Sequence, residues 1–164
     1  MAPKPISYID KGIVGRTLSN YNINPMFNYL SGLFGNKETM RIFNIYKVGT
    51  AKKWGGSTVY WQIDYNGNVR TGKIMLYDSE TGHIIKEPRN YITWVHTALH
   101  YDDFNLKQCF FGEHLLSVYP NKSVDFPVCV FTHFPVVSSI VKGSNSLSIV
   151  SSVFSTSLEM IMQL

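Results

Sequence analysis

At 164 residues the chain is the size of one domain, and a hydrophobic content of 45% with 14% aromatic residues is enough to bury a core. Its formal charge of +4 is uneven: residues 41–100 carry eight cations (Arg41, Lys47, Lys52, Lys53, Arg70, Lys73, Lys86, Arg89) against four acids (Asp64, Asp78, Glu80, Glu87). Such an excess suits a polyanionic partner, although many small soluble domains carry a similar balance. Cys109 and Cys129 each sit among apolar neighbours, as buried thiols do, which fits a reducing cytoplasm. No basic-then-apolar leader opens the chain, and the most apolar run, Val128 to Val141, is interrupted by His133 and Pro135, so no membrane association is expected.

In chain order, Asp10 is a candidate cap for a helix running to Leu18, weakened by Gly12 and Gly15. Asn24 followed by Pro25 is a helix start, with Met26, Phe27, Leu30, Leu33 and Phe34 at three-to-four spacing and Gly35 as a stop. A second helix is expected from a cap at Asn36, with Met40, Phe43 and Tyr46 on one face and Gly49 as its end. Two alternating strands then meet at Asn66-Gly67. A two-residue type I′ turn there pairs Tyr65 with Asn68, Ile63 with Arg70, Trp61 with Gly72 and Val59 with Ile74 on an apolar face. The other face carries Tyr60 opposite Lys73 and Gln62 opposite Thr71, a polar and aromatic surface with a cation at its centre. Trp61 over Gly72 reads as an aromatic covering a glycine gap in the core.

Asp78 to Gly82 is a second turn, leading to a short strand His83 to Lys86 that Pro88 ends. A short helix is expected over Ile92 to Leu99 and a short buried strand over Gln108 to Phe111. The fold class is α+β: N-terminal helices followed by a small antiparallel sheet with a central hairpin. Composition changes near Ser123, because the last 42 residues hold ten serines and three charges (Asp125, Lys142, Glu159). The chain thus divides into a domain over 1–123 and a Ser-rich apolar tail over 124–164, in which Val150, Phe154, Leu158 and Ile161 can share a helical face.

Several chemical readings fail on the residues. His96 and His100 are four apart but lack the adjoining glutamate of a metalloprotease helix, and Cys109 with His114 lacks a second short-spaced ligand pair. Asp102 and Asp103 are neighbours that point apart in an extended segment, so a turn or capping pair is the simpler role. No nucleophile elbow, phosphate-binding loop or dinucleotide fingerprint occurs. Lys52-Lys53-Trp54-Gly55-Gly56-Ser57 differs: cations meet phosphates, an indole stacks on a base, and glycines let a backbone approach closely. The same loop is also consistent with a solvated turn whose tryptophan packs back on the hairpin.

The runs Thr58 to Asp64, Arg70-Thr71-Gly72-Lys73-Ile74-Met75-Leu76-Tyr77, Lys86-Glu87-Pro88 and Gln108 to Leu116 closely resemble an uncharacterised family of mobile-element proteins from anaerobic gut bacteria. The architecture of that family is similar to that of bacterial DNA primases. Asp64, Gly67 and Val69 match the Asp-x-x-Gly-x-Val that ends a primase-core strand; Gly72-Lys73, Lys86 with Asn90, and Phe111-Gly112 resemble the motifs that follow. The likeness covers about residues 6–123 and implies a core subdomain that precedes a catalytic toprim fold. The toprim glutamate strand and its Asp-x-Asp pair do not appear after Ser123, where Asp125-Phe126-Pro127-Val128 follows instead, and the upstream zinc-ribbon cysteines are missing. A frameshift or misjudged gene boundary is one origin for such a tail.

The expectation is a module that holds a single-stranded template, DNA in preference to RNA, through Lys52, Lys53, Trp54, Tyr60, Arg70, Lys73, Lys86 and Arg89. Arg70 falls on the core side near the end of the hairpin, with its stem packed and its head emerging. No catalytic or metal-binding residue is assigned, and no cofactor is expected in this chain; magnesium and zinc are implied only for the family's other domains. A toprim-containing chain is a possible partner. The rival readings are a protein-interaction or regulatory fragment and a decayed gene product without activity.

Overall fold

The computed structural model describes residues 3–118. The tail, Cys129 and the proposed domain boundary at 123/124 lie outside the described residues.

Asp10 caps α1 (Lys11–Thr17), its carboxylate accepting the Gly12 N–H at 2.8 Å. After a 3-10 turn at Tyr21–Ile23, helix α2 (Pro25–Phe34) starts at Asn24, whose Oδ1 accepts the Phe27 N–H, and ends at Gly35. Helix α3 (Asn36–Tyr46) follows with Gly35 as its N-cap, so Asn36 is its first helical residue and not its cap. Its end also differs from expectation: Lys47, left-handed at φ 54, closes the helix by donating its N–H to the Phe43 carbonyl. Gly49 already belongs to the next strand.

The strands β1 (Val48–Ala51), β2 (Ser57–Ile63), β3 (Val69–Met75) and β4 (Ile92–Trp94) form an antiparallel sheet in the order β1-β2-β3-β4. The chain is therefore α+β, as the pattern implied. Val59 pairs with Ile74, Tyr60 with Lys73, Trp61 with Gly72 and Gln62 with Thr71, all in the expected register. Beyond Gln62 the register shifts, and Ile63 faces Val69, not Arg70. The loop is responsible. Tyr65, Asn66 and Gly67 all lie within it, and of these residues Gly67 alone is left-handed, at φ 76. The Gly67 N–H donates to the Asp64 carbonyl and the Asp64 N–H to the Asn68 carbonyl, both at 2.9 Å. This is the three-residue hairpin with a glycine bulge, in place of a type I′ turn.

The segment expected as a strand at His83 to Lys86 contributes one bridge, Tyr77 with Ile84. Ile92 to Leu99 is split into β4 and the single-turn helix α4 (Val95–Ala98), and Gln108 to Phe110 has no regular structure. Helix α5 (Leu115–Val118) ends the described residues.

Both faces of the sheet are covered. Trp61, fully buried, packs with Val59, Ile63, Ile74, Val14 of α1 and Val95 of α4. Its ring lies over Gly72, where an added Cβ would come within 2.9 Å of the indole, and its Nε1 donates to Thr17 Oγ1 at 2.9 Å. Across the sheet, Tyr60 and Met75 pack with Phe27 and Leu30 of α2, Phe43 and Tyr46 of α3, and Phe111. The expected open face carrying Tyr60 and Lys73 is thus an interior layer. A hairpin that shows polar residues on one face still buries that face when two amphipathic helices upstream need a surface to cover.

Asn24 ties these layers together. Fully buried, it accepts from Phe27 N–H and from Thr58 Oγ1 (2.8 Å), and donates to Gly49 O (3.3 Å) and Thr50 Oγ1 (3.1 Å). One side chain therefore caps α2 and fixes it to β1 and β2.

Candidate nucleic-acid interface

The eight residues singled out in the sequence fall into three places. Two are interior. Tyr60 is 2% exposed, its ring edge-on to Phe111 (5.6 Å) and Tyr77 (6.2 Å), and burial pushes its hydroxyl well above the ordinary tyrosine range. It cannot stack on a base, because the helices occupy that face. Arg70 donates through Nε to Asp64 Oδ2 at 2.8 Å, with the two side chains 15% and 4% exposed, and its guanidinium lies over Tyr8 at 5.0 Å. The expected emergent head is spent on this pair. Burial pushes the Asp64 carboxyl up, but the hydrogen bonds from Asn68 and Arg70 and the charge of Arg70 outweigh it and hold the carboxyl below its usual range.

Lys73 is set apart from the rest. It lies on the Tyr60 face, half-buried, with Nζ 5.7 Å from the ring of Trp94, and burial lowers its pKa. A lysine held this way is a poor phosphate contact compared with a fully solvated one.

The other five gather at the end of the sheet away from the hairpin turn. Lys52 and Lys53 are exposed on the loop between β1 and β2, which carries a 3-10 turn at Lys53–Gly55. Lys86 and Arg89 are exposed on the loop that runs into β4. The two loops meet through Trp54 and Tyr91, packed edge to face at 5.4 Å. Each ring also carries a cation: Lys53 Nζ lies 5.1 Å from the Trp54 ring and Arg89 Cζ 5.3 Å from that of Tyr91. Trp54 packs on the Trp61 core as well, as the solvated-turn reading of this loop expects, and Lys52 and Lys53 beside it are exposed.

Backbone geometry makes this end rigid. Trp54 is left-handed at φ 56, Gly56 sits at φ 134, and an added Cβ on Gly56 would fall 2.0 Å from the Ile23 carbonyl oxygen. Only glycine permits that approach, which seats the cationic loop against the 3-10 turn before α2. The second loop is held by Leu76, whose N–H donates to Tyr91 O and whose carbonyl accepts from Ile85 N–H. Lys52, Lys53, Lys86 and Arg89 make no ion pair among the described residues. Tyr91 was not singled out in the sequence; its place after the second cationic loop was the only available signal.

Apart from Lys86 to Asn90 on the second cationic loop, the motif residues that carried the family resemblance lie in or beside the core. Asp64, Gly67 and Val69 shape the hairpin end, and Phe111 stacks on Tyr46 at 5.7 Å in the core. Gly112 is left-handed at φ 83, and Glu113 accepts from the Tyr65 and Phe110 N–H groups. His96 does not pair with His100: its Nδ1 meets Thr71 Oγ1 at 2.9 Å, and its ring stacks on Phe104 at 4.9 Å. Asp103 pairs with Lys4. Among the described residues no group of three His, Cys, Asp or Glu is placed to hold a metal ion, and no helix is long and apolar enough to cross a membrane. Burial, with the charges of Glu113 and Asp64, pushes the Cys109 thiol up to about 12, so it is not a reactive thiolate.

No curated protein and no solved structure matches the chain. A family match spans residues 24–128, from the cap of α2 through the whole sheet and both cationic loops, and on it the chain belongs to the family described as Domain of unknown function (DUF6371).

Proposed function

We propose that this domain is a holding module for single-stranded nucleic acid, DNA in preference to RNA, within a primase-like replication protein of a mobile element. The observation that carries the reading is the pair of loops at one end of the sheet. They present Lys52, Lys53, Lys86 and Arg89 to solvent and are locked together by Trp54 and Tyr91. Cations on a rigid platform suit a phosphate backbone, because each neutralised phosphate releases counterions and little side-chain ordering is needed beforehand. The module grips and does not cut or join: phosphoryl transfer of the primase type needs carboxylates around metal ions. In this reading a toprim-containing chain supplies that chemistry, in the cytoplasm.

The test is binding of a fluorescent single-stranded oligonucleotide at two salt concentrations. Affinity should fall at least about tenfold between 50 and 200 mM salt, as expected for several phosphate contacts. A Lys52→Ala/Lys53→Ala/Arg89→Ala variant should lose binding. Absence of binding at low salt would sink the proposal and leave the protein-interaction reading.

A further inference from the structure

Beside the Lys52–Lys53 loop lies a groove of about 650 Å³ between the 3-10 turn at Tyr21–Ile23, α2 and the start of α3. Its size is within the usual range of small-ligand sites, about 300–1,000 Å³. Its rim is built from amides, Asn20, Asn22, Asn28 and Asn36. Its floor includes Tyr21 and Phe27, stacked on one another at 5.1 Å. Among the described residues no charged side chain lines it.

Three observations make this more than a surface dent. Ser31, one of the lining residues, carries a hydroxyl that is itself buried and has no hydrogen-bond partner among the described residues, a state that folded proteins rarely leave uncompensated. The groove is rigid, because Asn24 fixes its wall to β1 and β2 and the Asn28 amide donates to the Asn22 carbonyl at 3.1 Å. It also adjoins the loop that carries Lys52 and Lys53, since Ile23, next to Asn22, is the residue against which Gly56 of that loop is packed.

We infer that this groove takes a nucleobase of the strand whose phosphates lie on the cationic loops. A base is planar, with apolar faces and an edge of alternating donors and acceptors. Amides offer both donor and acceptor to that edge, and uncharged walls do not penalise a neutral ring. The four amides are compatible with more than one base, so the contact favours bases over bare backbone without strict sequence selection. The inference rests on the nucleic-acid reading above, and its test separates the two.

The experiment measures affinity for a single-stranded 12-mer and for an abasic sugar-phosphate 12-mer. Three proteins are compared: the unaltered chain, an Asn22→Ala/Asn36→Ala variant and the Lys52→Ala/Lys53→Ala/Arg89→Ala variant. Asn22 and Asn36 are exposed and make no side-chain hydrogen bond among the described residues, so the first variant keeps the fold. The unaltered chain should prefer the base-bearing strand about tenfold, the effect of one well-seated base. The asparagine variant should lose that preference and keep its affinity for the abasic strand, whereas the cation variant should lose both. Equal affinity for the two strands overturns the groove inference and leaves the cation reading standing. A preference that persists in the asparagine variant also overturns it and transfers base contact to Trp54. If neither strand binds, both readings fail.

Discussion

The two ends of the central hairpin lie about 20 Å apart, by the rise of a seven-residue strand, and use the same residue types in opposite ways. At the turn, Arg70 is sequestered. It neutralises the buried Asp64 carboxylate, lies on Tyr8, and stands beside a backbone loop that Asp64 itself organises. At the far end, Lys53 and Arg89 also lie on aromatic rings, yet both side chains are exposed and make no ion pair among the described residues. The difference shows that a cation over an aromatic ring has no fixed meaning. Burial and the presence of a counter-charge decide whether it holds the fold or is available to a ligand.

The comparison breaks first at the turn. Arg70→Ala leaves the Asp64 carboxylate buried without its cation and is expected to cost about 3 kcal/mol, the range for a broken buried pair. Chemical denaturation checks this, and a loss below 1 kcal/mol would show that solvent reaches Asp64 freely. Trp54→Ala comes next. The ring is half-buried, so its removal should cost about 1–2 kcal/mol, less than truncation of a fully buried tryptophan. By freeing the two loops from one another it should also weaken oligonucleotide binding, which the Arg70 variant, while folded, should retain.

The Lys52→Ala/Lys53→Ala/Arg89→Ala variant is the mirror image: stability within about 0.5 kcal/mol of the parent, as for exposed surface sites. Any single-stranded binding that remains at low salt should show a salt slope smaller in magnitude by about 2, the loss expected for three phosphate contacts. A thermal melt and a salt titration on the same preparation read both quantities.

The smallest effect expected concerns pH. Burial holds the His114 imidazole below its ordinary value, and the hydrogen bond to the Ile45 carbonyl opposes that shift while Lys47 adds to it. Nε2 donates to that carbonyl, so Nδ1 is the buried atom left without a partner among the described residues. The folded state therefore takes up a proton later than the unfolded chain, and stability should decline as pH falls below about 6.5, where an unfolded histidine titrates. His96, also lowered by burial, contributes in the same direction. Asp64, whose folded value is depressed, adds its own loss below about pH 4. Melting temperature measured from pH 7.5 to 5.5 should have a shallower slope in His114→Gln, which keeps a donor for Ile45 and removes the titration.

Local chemistry was the readable part of the chain. Asp10 and Asn24 cap their helices because a short acceptor side chain before a helical run has few other uses, and period-two alternation placed Val59 to Gln62 against Thr71 to Ile74. Where local signals compete, the local pattern alone does not fix the structure. Asn66-Gly67 suggests a two-residue turn, but Asp64, with acceptors for Asn68 and Arg70, favours the longer loop and shifts Ile63 onto Val69. Lys47 ends α3 although a glycine stands two residues later, because the chain must enter β1 by then. The candidate interface was half legible: charge and loop composition marked Lys52, Lys53, Lys86 and Arg89 singly.

By itself the sequence determined the helix starts, the α+β class and the pairing at the centre of the hairpin, because each depends on neighbours within a few residues or on a simple period. Only the tertiary structure decided which face of the sheet meets solvent, which arginine is sequestered, and that Trp54 finds Tyr91 across 37 positions of chain. Those outcomes depend on how two helix pairs compete to cover one sheet, and the free energy of that burial belongs to contacts no local pattern records.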